Sequence, residues 1–567
     1  MRSVSRIVVV CLAALLASCA TQKQAMPQGG SAVENAQASE YGNYLSARFA
    51  ASQHNLKDAA EYFRRALKSD PANSTLLALA FFFTTASGDV EGAGTYADQV
   101  IAATPSDHAG RLTLAVIAMK HHKFDDARKT LALSSKGPFA TLTVGMLDGW
   151  AAAGQGDEKT AVADLAALRA SGGADALAMF HLALLADYLG QKDLADESYR
   201  SVLTSGASPR TIDAYGRFLE RQGRTADAIA FYTKYGQQAG LGSVSVTGLA
   251  RIKAGKKPEG MITSPEDGAA EALFGIAASL TDPNSADVSI LYLRLALYLR
   301  PDLDLGAVLL ADRFESLEKY EDAIAVYQTV PKDSPYYHLA AVEIALDNAR
   351  IGKNDLAVTQ LKALVADDPN AGEAWTALGD TYRSMSKFPE AAAAYDHAIA
   401  LVGNDSSRGW PLLFARAVSE DGSKNWSAAE VDLKKALTMA PNEPQILNYL
   451  GYSWVDKNQN IPEALAMLEK ARSLKPTDGY IVDSVGWAYF KVGRYADAAT
   501  TLQSAVELVP GDPTINDHLG DAYWRVGRKR DAEFQWNHAL AFGAVDGDKD
   551  RIEKKLKDGL EDSAAPN

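Results

Sequence analysis

The chain has 567 residues, 57 of them basic and 71 acidic, and its formal net charge is −14. A chain of this length is too long to fold around one compact hydrophobic core. Its net negative charge argues against phosphate-rich partners, so nucleic acid is not an expected ligand. Alanine-rich, helix-forming sequence dominates and strand signals are nearly absent, so the fold is predicted to be all-α.

The first element is a secretion signal, predicted over residues 1–18. Arg2 and Arg6 precede an apolar run over 7–17, which is too short to span a bilayer as a helix. The run leads into Leu16-Ala17-Ser18-Cys19, which resembles a bacterial lipobox. The resemblance implies cleavage before Cys19 and lipidation of that cysteine. The alternative is an ordinary secretory peptide with an incidental cysteine.

Residues 19–38 follow as a predicted flexible tether, because Gln, Ala, Ser and Gly dominate them. As a random coil this segment would reach about 25 Å. Ala20 follows the cysteine, at a place where aspartate usually signals retention in the inner membrane. By resemblance to bacterial lipoproteins, the chain is expected at the outer membrane, facing the periplasm, with the lipid as its membrane contact.

Repeated helical hairpins are predicted over 39–235, because an alanine returns there at one constant spacing. A large apolar residue stands four places after most of these alanines, and another apolar residue, usually small, stands three places further on, which puts all three on one helix face. The spacing is that of a two-helix repeat with a period of about 34 residues. The alanines are Ala59, Ala93, Ala127, Ala161 and Ala195.

The repeat lapses over 236–268, where glycine and proline accumulate. This composition predicts an irregular linker or a degenerate repeat between two solenoid segments. A short helix over 243–254 is compatible with it, and so are a hinge and an exposed loop.

The repeat returns over 269–543, and a glycine followed by an aromatic residue marks its first helices. Alanines recur at the same spacing in two further series: Ala323, Ala357 and Ala391, then Ala464, Ala498 and Ala532. This segment resembles the tetratricopeptide repeat (TPR) consensus at Trp375, Leu378, Gly379, Tyr382, Ala391, Tyr395 and Ala398. The resemblance implies an α-solenoid of roughly 14 helical hairpins wound into a superhelix.

In TPR proteins the fifth and ninth residues of the first helix usually face the concave groove. At and beside these places stand the candidate partner-binding residues Asp380, Asn448, Tyr452, Asp483, Trp487, Asp517, Asp521 and Trp524. An acidic and aromatic groove suits a basic or neutral protein segment, with the aromatic residues as anchors. The alternative is that exposed positions of a first helix are polar in any case.

Residues 544–567 are predicted to form a capping helix and a tail. The segment from Lys549 to Leu560 has the pattern of a charged amphipathic helix with Ile552, Leu556 and Leu560 on one face. The last repeat of a solenoid needs its apolar flank covered, so capping is the expected role.

No catalytic site, metal site or cofactor is predicted. Two Ser-x-x-Lys matches, Ser316 to Lys319 and Ser384 to Lys387, resemble the nucleophile motif of penicillin-binding enzymes. Both fall at the turn between paired helices, where polar residues are expected for structural reasons. The pair His121-His122 has no second ligand pair at metal spacing.

Residues 444–560 carry a more particular resemblance, in the runs 447–452, 483–487 and 518–521. They resemble the envelope TPR lipoproteins of Gram-negative bacteria that serve as adaptors for a periplasmic carboxyl-terminal-processing protease. The resemblance implies a non-catalytic adaptor, with the protease and murein hydrolases as partners. A scaffold for envelope assembly, or for a secretion or pilus-type export apparatus, is the alternative. An enzyme with a hidden active site is the third hypothesis.

Overall fold

The computed structural model describes residues 40–168, 175–236, 238, 242–402 and 406–560. The signal segment 1–18, the lipidation site Cys19, the tether 19–38 and the end of the predicted tail lie outside the described residues. Within them the chain forms thirty α-helices and one short 3₁₀ helix, with no strand. The prediction of an all-α chain is therefore confirmed.

The helices pair into hairpins along the chain. The first six hairpins are α1 Glu40–Ser52 with α2 Leu56–Ser69, α3 Ser74–Ser87 with α4 Val90–Ala103, α5 His108–Lys120 with α6 Phe124–Leu131, α7 Pro138–Gly154 with α8 Glu158–Leu168, α9 Asp175–Tyr188 with α10 Lys192–Ser205, and α11 Pro209–Arg221 with α12 Thr225–Gly236.

The middle of the chain holds a single helix and one hairpin of different shape. The single helix is α13 Gly242–Lys253, which overlaps the short helix that the composition allows over 243–254. The hairpin is α14 Pro265–Ser279 with α15 Ala286–Leu299, and the 3₁₀ helix Pro283–Ser285 lies between its two helices.

Seven more hairpins and a last helix complete the described chain, so the fourteen hairpins match the predicted number. They are α16 Asp304–Ser316 with α17 Tyr320–Tyr327, α18 Tyr337–Arg350 with α19 Asn354–Asp367, α20 Gly372–Ser384 with α21 Phe388–Val402, α22 Ser406–Gly422 with α23 Trp426–Met439, α24 Pro444–Asp456 with α25 Ile461–Leu474, α26 Gly479–Lys491 with α27 Tyr495–Leu508, and α28 Pro513–Arg525 with α29 Lys529–Ala541. The last helix is α30 Asp546–Asp558.

The hairpin α26–α27 shows how the repeated residues produce the fold. The Asp478 side chain caps α26 by accepting hydrogen bonds from the backbone N–H groups of Tyr480 and Ile481. Ala498 on α27 is fully buried, and a Cβ added to Gly486 would lie only 2.6 Å from Cγ of Leu502. Small residues at both places therefore let the two helix backbones approach closely.

The turn inside a hairpin uses a residue in the left-handed backbone region. Such residues, with φ between 45° and 101°, occur in thirteen of the fourteen described hairpins. In the α26–α27 turn, Gly493 has φ 81°, and the N–H of Arg494 donates to the carbonyl of Tyr489 over 2.8 Å. This bond satisfies a carbonyl that the end of the helix would otherwise leave unpaired.

The hairpin α14–α15 turns back onto the first helices of the N-terminal half. Gly268 on α14 lies directly against the Trp150 ring on α7. Tyr292 on α15 lies 3.2 Å from Nε2 of His108 on α5, measured from its hydroxyl oxygen. Arg294 donates from Nε to the carbonyl of Ala86 on α3 over 3.2 Å. The inner face of the N-terminal hairpins is therefore covered by the chain itself.

A buried ion pair stabilises the contact between α14 and the N-terminal hairpins. Nε of Arg210 on α11 donates to Oε1 of Glu271 on α14 over 2.9 Å, and the Glu271 side chain is almost fully buried. Among the described residues, no helix combines the length and the apolar character needed to cross a membrane.

Candidate partner-binding surface

Three consecutive first helices, α24, α26 and α28, place most of the predicted residues in one row. The predicted residues occupy the fifth and ninth positions of each helix, counted from its first residue. We call this row, with the neighbouring Trp524, the acidic–aromatic surface; it consists of Asn448, Tyr452, Asp483, Trp487, Asp517, Asp521 and Trp524.

A buried histidine joins α26 to α28 within this surface. Nδ1 of His518 lies 3.0 Å and 3.1 Å from the two carboxylate oxygens of Asp483. The His518 ring stacks on the indole of Trp487, with ring centroids 4.0 Å apart and planes within 12°. Burial alone would lower the pKa of His518, but the carboxylates of Asp483, Asp517 and Asp521 together outweigh it, and the pKa is raised.

Two aspartates on α28 hold cations from the last helix. Lys555 on α30 donates to Asp517 over 2.8 Å and to the two oxygens of Asp521 over 2.6 Å and 2.8 Å. Nη1 of Arg551 lies 2.7 Å from Oδ2 of Asp517. The Asp517 side chain is 1% exposed and the Lys555 side chain 8%, so this ion pair is buried, whereas the Arg551 side chain is 46% exposed.

Burial and mutual repulsion act on the carboxylates of the cluster. Burial raises the pKa of Asp521, and the neighbouring Asp517 carboxylate raises it further, while the Lys555 ammonium opposes both. On the adjacent helix α24, burial and then the Asp483 carboxylate raise the pKa of Tyr452 to about 12. The carboxylates of Asp483, Asp517 and Asp521 thus form a cluster that the cations packed against it stabilise.

Aromatic side chains line the end of the surface nearest α30. The indole N–H of Trp536 on α29 donates to Oδ1 of Asp521 over 3.0 Å. The ring of Trp524 lies 5.3 Å from that of Trp536, and Nζ of Lys529 sits 3.4 Å from the Trp524 centroid. Gly559, just after α30, lies against the Trp524 indole, where a Cβ would collide with the ring.

The α24 end of the surface is less fully occupied. Tyr452 and Asn448 are both half-buried. Oδ1 of Asn448 is buried and has no hydrogen-bond partner within the described residues. A polar group that lacks a partner when buried is unfavourable, and a bound donor would satisfy it.

Asp380 does not belong to this surface. It lies on α20, which packs in a separate apolar cluster with α18, α19, α21 and α22. Its carboxylate accepts a hydrogen bond from the Tyr395 hydroxyl over 2.7 Å and pairs with Arg383 over 3.1 Å. Both side chains of that ion pair are more than two-fifths exposed, so Asp380 has the character of a surface carboxylate.

The structure corrects the expectation that the aspartates of α28 line an open groove. Asp517 and Asp521 are buried beneath α30, whose Lys555 and Arg551 neutralise them. The sequence pattern identified α30 as a cap by its apolar face but missed its cationic face. The spacing of Arg551 and Lys555 by one helical turn, beside Ile552, is the signal that could have revealed it.

The candidate catalytic motifs have structural roles at helix ends. The Ser316 hydroxyl donates to the carbonyl of Arg313 over 2.7 Å, and the Ser384 hydroxyl donates to that of Thr381 over 2.8 Å. Both serines thus satisfy carbonyls in the last turn of their own helices. Across the described part of the chain, no group of three or more His, Cys, Asp or Glu residues is placed to hold a metal ion.

Comparison with protein families adds an independent observation. A model of the tetratricopeptide repeat matches residues 44–108, 342–406 and 486–548, and a second model of that repeat matches 177–205. The chain carries tetratricopeptide repeats. The TPR matches fall on hairpins that carry the regularly spaced alanines.

Known proteins resemble parts of this TPR chain. A TPR repeat-containing protein of Pseudomonas aeruginosa is 33% identical over 87 residues, 15% of this chain and 15% of that protein. The cytochrome c-type biogenesis protein CycH of Rhizobium meliloti is 31% identical over 114 residues, 20% of this chain and 29% of that protein. The chain therefore matches less than a third of the length of each relative.

Solved structures also match. The Cut9–Hcn1 hetero-tetramer of the APC/C is 15% identical with a TM-score of 0.39, covering 92% of this chain and 96% of that one. A TPR protein of Parabacteroides merdae is 15% identical with a TM-score of 0.37, covering 45% of this chain and 97% of that one.

TPR proteins generally bind other proteins, and the fold is typically non-catalytic, so the repeats indicate a protein–protein interaction scaffold.

Proposed function

We propose that the chain is an adaptor at the outer membrane that recruits a periplasmic protease and its cell-wall hydrolase substrates. The observation that carries the proposal is the acidic–aromatic surface on three consecutive TPR hairpins, with carboxylates and stacked aromatic rings in one row. Rigid aromatic anchors beside charged groups are typical of protein-binding surfaces.

The proposed location rests on the sequence before the first helix. Leu16-Ala17-Ser18-Cys19 and the Gln- and Ser-rich segment after it are the features of a lipid anchor and a tether. A tether of about 25 Å would hold the solenoid away from the lipid surface. The acidity of the chain also favours proteins over anionic lipid as its partners.

A second function is favoured by the likeness to CycH, a cytochrome c-type biogenesis protein. A scaffold for the assembly of envelope proteins would use the same repeats and the same anchor. The two functions differ in what the chain holds: a protease with its substrates, or components that are being assembled or exported.

Co-purification separates these two functions. The full chain, with an affinity tag after its last residue, is purified from detergent-solubilised membranes, and the bound proteins are identified by mass spectrometry. We expect a carboxyl-terminal-processing protease and murein hydrolases, and we expect those hydrolases to accumulate in a strain that lacks the chain. Cytochrome assembly or secretion components in the eluate, with unchanged hydrolase levels, would instead support the second function.

The lipid anchor is tested by metabolic labelling with an alkyne fatty acid. The parent chain is expected to incorporate the label and to sediment with outer membranes, whereas Cys19→Ser should lose both properties. Cys11→Ser is the matched control, because Cys11 lies in the segment that cleavage removes and should leave labelling intact. Equal labelling of the parent and the Cys19→Ser chain would refute lipidation at Cys19.

A further inference from the structure

Helix α30 lies on the acidic–aromatic surface as a bound peptide would. The face that it presents consists of Arg551, Ile552, Lys555 and Leu556, and the two cations stand one helical turn apart. Both cations contact carboxylates of α28, and the Ile552 side chain between them is 1% exposed. Charge and shape are therefore complementary at this contact.

The attachment of α30 to the solenoid is small. Of its thirteen residues, Ile552 and Lys555 are buried, Asp548 and Leu556 are half-buried, and the others that can be described are exposed. Val545 at its start is 70% exposed and provides no side-chain cap. A helix of this length is marginal in isolation, and the loss of hydration largely offsets the attraction between buried ions. Displacement of α30 is therefore within reach of a competing segment.

The surface extends beyond what α30 covers. Trp487 is half-buried although it stacks on His518, and Tyr452 is also half-buried. The buried Oδ1 of Asn448 has no hydrogen-bond partner within the described residues. A helix longer than α30 would reach these groups from the same position and would gain contacts that α30 does not make.

We propose that the acidic–aromatic surface binds a basic amphipathic helix of a partner protein, and that α30 occupies the same surface until the partner displaces it. The partner helix carries Lys or Arg residues one turn apart for Asp517 and Asp521, a large aliphatic residue beside them, and further apolar residues toward Trp487 and Tyr452. This inference rests on the proposed function as a protein-binding scaffold and names the chemistry of the segment that is bound.

The test uses a fluorescent synthetic peptide with the sequence of residues 545–560, added to the full-length chain. Lys555→Glu in the chain places a glutamate against two buried carboxylates and should expel α30, which opens the surface to the peptide. The matched control is Lys557→Glu, the same charge reversal at an exposed position of α30. Circular dichroism of each chain monitors the fold.

We expect the Lys555→Glu chain to bind the peptide at least about tenfold more tightly than the parent and the Lys557→Glu chain do, because the internal helix no longer competes. A peptide that itself carries Lys555→Glu should not bind. Equal affinity for all three chains, or no binding to any of them, would overturn the inference. A parent chain that is dimeric in light scattering through exchange of α30 would also overturn it, since the occupant would then be a second copy.

A second measurement serves if the Lys555→Glu chain does not fold. A protease site inserted in the exposed loop between Phe542 and Val545 allows α30 to be cut after the chain has folded. The cut helix should then exchange with the labelled peptide, and failure to exchange counts against the inference. Failure of either peptide experiment leaves the co-purification of the full chain unaffected, so the two proposals fail separately.

Discussion

The ammonium group of Lys555 lies 2.6 Å and 2.8 Å from the two carboxylate oxygens of Asp521, and both side chains are less than a tenth exposed. Ions removed from water gain little net stability from pairing, but removal of one partner leaves the other buried without compensation. In this chain Lys555 keeps its contact with Asp517 when Asp521 loses its charge, and the lysine can also leave the surface together with α30. The docking of that short helix therefore sets an upper limit on the cost of breaking the pair.

Asp521→Asn tests this relationship. The amide keeps an oxygen acceptor for Trp536 but removes one of the two carboxylates that hold Lys555, the other being that of Asp517. We expect the free energy of unfolding to fall by about 1–3 kcal/mol and the amide hydrogens of α30 to exchange faster with solvent. Urea unfolding and hydrogen exchange measure the two effects.

Asp380→Asn is the matched control for that substitution. Asp380 is also the ninth residue of a first helix, but its ion pair with Arg383 is exposed. We expect a loss of at most about 1 kcal/mol and unchanged exchange in α30. Equal losses in the two variants would mean that burial of the Lys555 pair has no special consequence.

The regular hairpins could be predicted from the sequence because they depend on local spacing. Ala498, Leu502 and Gly486 meet within one repeat, and the same pattern recurs in the other regular repeats. The contacts that close the inner surfaces join distant residues: His108 meets Tyr292 across 184 positions, and Arg210 meets Glu271 across 61. The spacing of residues along the sequence does not predict contacts between such distant positions. The sequence therefore predicted the residues of the row on α24, α26 and α28 and a capping helix after the last hairpin, but not that this helix covers part of the row.

The seam between paired helices is tested by Ala498→Leu. Ala498 is fully buried, so three additional carbon atoms must displace neighbouring side chains or the backbone. We expect a loss of about 1–3 kcal/mol in the free energy of unfolding. Ala496→Leu, at an exposed position of the same helix, should change stability by no more than about 0.5 kcal/mol. A tolerated Ala498→Leu would show that the seam is looser than the structure indicates.

The hairpin turn is tested by Gly493→Ala. Gly493 has φ 81°, and a Cβ there would meet no atom within 4 Å, so the expected cost comes from the backbone conformation alone. We expect the variant to lose about 1–2 kcal/mol in thermal unfolding. Gly511→Ala is the control, since its Cβ would also enter open space but its φ lies outside the left-handed region. Identical melting temperatures of the two variants would contradict the account of the turn.

The pair of His518 and Asp483 predicts a dependence of stability on pH. The pKa of His518 is raised in the folded chain, above its ordinary value of 6.5, so folding favours its protonated form. The stabilisation is present in full below the ordinary pKa and is lost as the pH rises through the raised one. We therefore expect the free energy of unfolding to fall as the pH rises above that ordinary value, as measured by urea unfolding.

His518→Gln isolates this contribution. Glutamine keeps an N–H donor for Asp483 but does not bind a proton. The free energy of unfolding of the variant should therefore fall less steeply with rising pH than that of the parent. Other groups also titrate near neutral pH: burial and then the Glu315 charge raise the pKa of Glu343 to about 7, so the difference between parent and variant is the quantity to measure. His397→Gln, at an exposed ring stacked on Trp375, is the control and should leave the parent slope unchanged. If the free energy of unfolding of the His518→Gln chain falls with rising pH as steeply as that of the parent, then folding does not favour the protonated form of His518.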